Sequence, residues 1–155
     1  MSGKDELSLE DRLKISQLYE QVALKILGEL ETLHRDELYL TLANRAYYAV
    51  LNMSKALLIL FGEEPSTHRG VRQRLHLRFA DHKDMLAIFD ELWDVREKAD
   101  YDVFFVARGE MDEEKARKLW EKAEKFVSEA RRLKSDIVKE LSPSLSPSDP
   151  GRWQR

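Results

Sequence analysis

Apolar residues recur at three- and four-residue steps along most of this chain, the spacing of helices that each bury one face. Ser8 ahead of Leu9, Glu10 and Asp11 reads as an N-cap followed by an acidic first turn. From there Ile15, Leu18, Val22, Ile26 and Leu30 trace one face of a first helix. A second helix is predicted over about residues 36–60, stopped by Gly62 with Pro65 just beyond. It is the most apolar of the set, so most of its circumference calls for burial and it belongs at the centre. A third, shorter helix covers roughly residues 67–79. A fourth covers about residues 83–99 and carries Met85, Ile88, Phe89, Leu92, Val95 and Ala99 on one face. Residues 104–109 read as irregular chain, after which Asp112, Glu113 and Glu114 open a fifth helix. Its stripe is Ala116, Leu119, Trp120, Ala123, Phe126, Val127, Ala130, Leu133 and Ile137.

Five amphipathic helices with short connections predict an all-α fold, a five-helix antiparallel bundle. The bundle is expected over residues 8–141, and 142–155 is expected to be a disordered Ser/Pro-rich tail. A chain of 155 residues is one domain's worth. It has no cysteine, which removes disulfides and thiolate zinc sites and permits a reducing compartment. Residues 1–6 lack the apolar core of a signal peptide, and the most apolar run, 56–61, is far short of the ~20 residues that cross a bilayer. A soluble, cytoplasmic protein without membrane contact is the expectation. Twenty-six basic and 29 acidic residues nearly cancel, so any sign of a nucleic-acid partner must be local.

Three places carry such a sign. On the second helix Thr41, Asn44, Arg45, Tyr48, Asn52 and Lys55 share one face, which either meets solvent or forms the polar wall of a cleft. On the third, Arg69, Arg72, Arg74, Arg78 and Lys83 stand against Asp81 alone, with His68, Arg72 and His76 at successive i, i+4 steps. That stripe either tracks a phosphate backbone or pairs with acidic neighbours. His68 and His76 lie two helical turns apart, too far for a shared metal, and no metal site is expected. On the fourth helix Arg96 falls in line with Met85, Phe89, Leu92 and Ala99, so a charge occupies an apolar stripe. Asp100, four residues on, can pair with it, whereas Tyr101 should lie well around the helix. Arg96 then either fixes packing as a half-buried ion pair or faces a phosphate.

Three runs, Asn44-Arg45-Ala46-Tyr47-Tyr48-Ala49, Pro65-Ser66-Thr67-His68-Arg69-Gly70 and Arg96-Glu97-Lys98-Ala99-Asp100-Tyr101-Asp102, together resemble the HEPN family in order and spacing. The likeness spans roughly residues 10–140. It implies a small all-α nucleotide-binding domain. Ribonuclease members carry an arginine followed, after four to six residues, by a histidine, complete the site across a symmetric dimer and need no metal. Arg96 matches that arginine, but Tyr101, Asp102 and Val103 fill the offsets open to the histidine, and no histidine follows. The chain is more similar to a sibling branch marked by Arg-x-x-Ala-Asp-Tyr, although Asn52 stands where that branch commonly has histidine. The resemblance implies a homodimer that works beside a minimal nucleotidyltransferase in a toxin–antitoxin-like or regulatory pair. As a binding module it would hold nucleotide or RNA phosphate around Arg45, Tyr48, His68, Arg69, Arg72 and Arg96, with no cofactor. As a degenerate endoribonuclease it would use Arg96, with Tyr101, Asp100 or His68 in place of the missing histidine. A purely structural interaction bundle is the third reading.

Overall fold

The computed structural model describes residues 6–142, so the tail expected at 142–155 lies outside the described residues except for Ser142, which is buried and closes the last helix with its N–H on the Val138 carbonyl. Within them the chain is all-helical: α1 (Leu9–Arg35), α2 (Tyr39–Ile59), α3 (His68–Arg78), α4 (Lys83–Tyr101), α5 (Val103–Ala107) and α6 (Glu113–Leu141). Five of these answer the five expected helices, and the short α5 is additional. Among the described residues no helix is long and apolar enough to cross a membrane.

Helix α2 is the axis of the bundle, packed by α1, α6, α4 and α3. Its side chains from Leu42 to Leu60 are buried except for the polar stripe Asn44, Arg45, Tyr48, Asn52 and Lys55, which is partly exposed. It begins at Tyr39, later than its apolar pattern suggests. Asp36 donates to the Thr32 carbonyl to close α1, and Glu37 turns the chain through a left-handed φ of 61° before α2 can start. It ends where Gly62 takes φ 77° and Glu63 N–H donates back to the Leu58 carbonyl, the turn that favours glycine.

Helix α1 starts as its sequence predicts, the Ser8 hydroxyl accepting from Asp11 N–H. Its buried face differs from the expected one. Leu18 and Val22 are 60% and 45% exposed, while Ser16, Glu20, Ala23, Ile26 and Leu30 point inward. Partners explain the rotation: Ser16 donates to the Ala56 carbonyl on α2 at 2.6 Å, and Glu20 takes Lys134 and Arg131 of α6 at 2.5 and 2.7 Å. A polar side chain goes inward when its hydrogen bonds are made there.

Residues 104–109 were expected to be irregular, but 103–107 form a helical turn. Asp102 is the reason. Its N–H closes α4 on the Lys98 carbonyl, and its carboxylate accepts from Phe105 N–H at 3.0 Å to open α5. Phe105 is buried and Val103, Phe104 and Val106 stay exposed. Asp112 then caps α6 through Lys115 N–H, and the expected stripe of α6 packs as read, with Trp120 and Leu133 at its margin.

Candidate functional site

The Pro65–Gly70 turn sets the position of α3, and its composition has a steric cause. Thr67 is the N-cap, its hydroxyl accepting from Gly70 N–H at 2.9 Å. A Cβ on Gly70 would stand 3.0 Å from both Pro65 Cβ and Thr67 Oγ1, closer than side chains normally approach. The turn therefore favours glycine there, and it presents His68 as the first residue of α3. Glu63 holds the helix down from behind, accepting from Arg74 at 3.0 Å and Arg78 at 2.5 Å.

His68 arrives over two tyrosine rings of α2. Its ring centre is 5.8 Å from that of Tyr47 and 5.8 Å from that of Tyr48. Arg96 of α4 reaches the same pair, its guanidinium carbon 5.4 Å and 5.7 Å from those two rings, and 5.7 Å from Tyr101. An arginine lying against aromatic faces keeps part of its solvation through their π-electrons. Tyr101 was expected well around the helix; α4 continues through it, and the length of the Arg96 side chain closes the gap.

Hydrogen bonds fix this guanidinium. Nη2 donates to the Tyr48 hydroxyl at 3.2 Å and Nη1 to Glu97 at 3.2 Å. Nε lies 3.1 Å from Asp100 Oδ2, a charge contact whose N–H is not aimed at the oxygen, so this donor is left without a hydrogen bond. Asp100 is braced in turn by Asn44, whose amide donates to the same oxygen at 3.0 Å. Only 12% of the Arg96 side chain is exposed. Burial alone would lower its pKa, but Tyr48, Asp100 and Tyr101 outweigh that and raise it, so the group stays charged. Below it the Tyr47 hydroxyl is buried with no partner among the described residues. Burial holds that phenol far above its ordinary range, with Arg96 opposing and Tyr48 and Glu97 adding to the rise.

The imidazole of His68 is pushed the other way. Burial first, then the positive charges of Arg96 and Lys55, hold it below the ordinary histidine value, with Glu97 opposing. It is a neutral base at neutral pH, and among the described residues neither ring nitrogen is hydrogen bonded. His34 and His76 differ, with Nε2 at 3.2 Å from the Glu113 carbonyl and 3.0 Å from Asp90.

Of the residues singled out in the sequence, Tyr48, His68, Arg96, Asp100 and Tyr101 come together. Arg45 does not join them, because it turns to Glu29 of α1 at 3.1 Å. Arg72 and His76 both go to Asp90, and Arg72 also lies 5.9 Å over the Trp93 ring, whose edge meets Tyr47. Arg69 is exposed. With Arg74 and Arg78 on Glu63, most of the basic stripe of α3 pairs with acidic neighbours. Sequence reasoning did not mark Trp93, and it held Tyr47 and Glu97 only as members of the three runs, not as site residues. Trp93 lies one turn before Arg96, and the i, i+3 spacing was the available signal. Beside the cluster a shallow, open hollow of ≈ 470 Å³ lies between Glu97, Tyr101, Val103 and Phe104, so α5 supplies one of its sides.

Comparison with known proteins follows the same ground. The family model described as HEPN domain matches residues 16–133. A protein named "Putative toxin" from Methanocaldococcus jannaschii is 29% identical over 136 residues, covering 85% of this chain and 97% of that one. A UPF0332 protein from Archaeoglobus fulgidus is 32% identical over 101 residues, covering 61% of this chain and 74% of its own length.

Proposed function

Because this chain belongs to the HEPN family, we propose that it is an RNA-binding module of the toxin-like kind, seating a backbone phosphate at Arg96. The likeness to the archaeal "Putative toxin" supports the biological setting, and a minimal nucleotidyltransferase is the partner we assign to it. One observation carries the phosphate assignment: among the described residues Arg96 Nε and the Tyr47 hydroxyl, two buried donors in one cluster, both lack a hydrogen-bond acceptor. Buried polar groups are paired in the great majority of cases, and each exception calls for an explanation. A phosphate oxygen supplies the acceptor that is missing.

The local charge balance sets how binding proceeds. Glu97 and Asp100 together outweigh Arg96, so an anion must displace one of them. Asp100 is braced by Asn44, whereas the Glu97 side chain is 43% exposed and held by one contact. Glu97 is the placeholder: it swings into solvent at little cost, since exposed ion pairs contribute only about 0–1 kcal/mol. Titration of a fluorescent single-stranded RNA followed by anisotropy tests this. Arg96→Ala weakens binding and Glu97→Gln tightens it. If Glu97→Gln leaves affinity unchanged or lowers it, the placeholder role is wrong; if the wild-type protein binds no RNA, the reading itself is. Copurification with the product of an adjacent small nucleotidyltransferase gene tests the partner.

A further inference from the structure

We propose that the hollow between α1, α2 and the connection to α3 is a guanine subsite, taking one base of an RNA strand that also passes Arg96. The inference rests on the RNA-binding reading above and adds base selection to it. The hollow has a volume of ≈ 270 Å³ and is lined by Tyr19 of α1, Lys55 of α2, and Glu63, Glu64 and Pro65 of the connection. It is more enclosed than the hollow beside Glu97, and smaller than the ~300 Å³ at which sites for drug-sized ligands begin. A single base is a ligand of that scale.

Position ties this hollow to the phosphate seat. Tyr48, which accepts from Arg96, and Lys55 both lie on α2, about 10 Å apart along its axis at 1.5 Å per residue. Asn52 falls between them on the same polar stripe. His68 spans the interval, its ring 5.8 Å from that of Tyr48 and near enough to Lys55 to feel its charge. A strand held at Arg96 thus reaches the hollow with a neighbouring nucleotide.

The groups in the hollow are complementary, and two of them are uncommitted. Glu63 is already engaged, accepting from Arg74 at 3.0 Å and Arg78 at 2.5 Å. Glu64 and Lys55 make no hydrogen bond or ion pair among the described residues. The Lys55 ammonium lies 5.9 Å over the Tyr19 ring, at the outer limit of a cation–π contact, so it can turn to a ligand. As it moves to the edge of a base, the ring face it covered opens for stacking, which any base can use. The carboxylate and the ammonium then choose among bases. Guanine sets N1–H beside its 2-amino group, two donors for the Glu64 carboxylate, and follows them on the same edge with O6, an acceptor for Lys55. Adenine and cytosine offer a carboxylate one amino group with no second donor beside it. Uracil has a single N–H flanked by carbonyl oxygens, which a carboxylate repels.

The test uses the full chain and fluorescent single-stranded RNAs that differ at one position in a uridine background. That position holds guanine, adenine or hypoxanthine, which is guanine without the 2-amino group. Wild-type protein should bind the guanine strand about tenfold more tightly than the adenine strand by anisotropy, the discrimination of one bidentate pair. The hypoxanthine strand should fall between them. Glu64→Gln should bring the guanine and adenine strands to within about twofold of each other. Glu64→Ala, checked by circular dichroism, removes the contact that a glutamine oxygen could still make. Arg96→Ala should weaken all three strands and keep their ratios, which separates the phosphate seat from the base. Equal binding of the guanine strand and either of the others by wild type overturns the subsite while leaving the RNA-binding module standing. A preference that survives both Glu64 variants overturns it too. RNA not bound at all removes both.

Discussion

Two clusters of charge are built into this bundle, and they are completed differently. In the first, Glu20 of α1 meets Lys134 and Arg131 of α6, and the carboxylate and the ammonium are both about nine-tenths buried. Burial alone would raise the Glu20 pKa, but hydrogen bonds from Lys134 and Arg131 hold it below the usual range. In the second, Arg96 meets Glu97, Asp100 and Tyr48, yet among the described residues its own Nε and the Tyr47 hydroxyl have no hydrogen-bond partner and His68 has none either. The first cluster is closed on itself and ties two helices together. The second keeps unfilled hydrogen-bonding capacity among the described residues, beside an open hollow lined by Glu97, Tyr101, Val103 and Phe104. Burial of an arginine is therefore a poor guide to its role; what matters is whether its donors are all taken.

Changing Glu20 should give the largest effect and sharpen this contrast. Glu20→Ala removes the charge partner of the buried Lys134, leaving it the Gln17 side-chain oxygen at 3.3 Å, and should lower stability by about 3 kcal/mol, read from a denaturant melt, with RNA affinity unchanged. A loss of RNA binding in the folded variant would break the division between the clusters. The same carboxylate sets an acid limit. Its folded pKa is depressed, so its contribution is full above the unfolded value of about 4.3 and is lost as pH falls through the folded value. Glu20→Gln should flatten stability against pH in that acid window.

Arg96→Ala comes next and should work through binding. Loss of its charged donors should weaken RNA about tenfold, equivalent to about 1.4 kcal/mol, with stability falling by only about 1 kcal/mol because Asp100 retains contact with water. Arg96→Lys should recover part of the affinity, since an ammonium lacks the planar fork. A stability loss as large as that of Glu20→Ala would mean that the second cluster is structural as well. Gly70→Ala is subtler. The added methyl presses on Pro65 and Thr67 and should cost about 1 kcal/mol, and it should shift the His68 ring resonances in NMR spectra while leaving those of Trp120 in place. Arg45→Ala closes the series. It removes an exposed pair with Glu29, so stability should change by less than about 0.5 kcal/mol and RNA affinity by less than twofold.

Much of the scaffold was legible before any coordinates. Ser8, Thr67 and Asp112 cap helices where the sequence placed N-termini, and the stripes of α4 and α6 were read correctly. The face of α1 was not, because periodicity assigns apolar residues inward and cannot see that Ala56, Arg131 and Lys134 would meet Ser16 and Glu20. Helix α5 escaped notice for a local reason: Asp102 serves two helix ends at once, which composition does not reveal. At the candidate site the sequence supplied Arg96, Asp100 and His68 separately. It could not show that Arg45 would turn to Glu29, or that Tyr47 would lie under the guanidinium with its hydroxyl unpaired, because both depend on how α1, α2 and α4 pack.

The raised pKa of Tyr47 also makes this phenol an optical reporter. The chain has five tyrosines, and a phenolate absorbs at longer wavelength than a phenol, so an alkaline titration follows ionisation directly. Burial keeps Tyr47 protonated in the folded chain well past its ordinary value of 10.0, whereas the unfolded chain releases that proton near about 10. The stability tied to the neutral ring is therefore whole below that point and drains away as alkali carries the pH up toward the folded value. Ionisation of Tyr47 should lag behind the ordinary phenol range and appear abruptly when the bundle opens. The colour change then times the opening of the site without any added label.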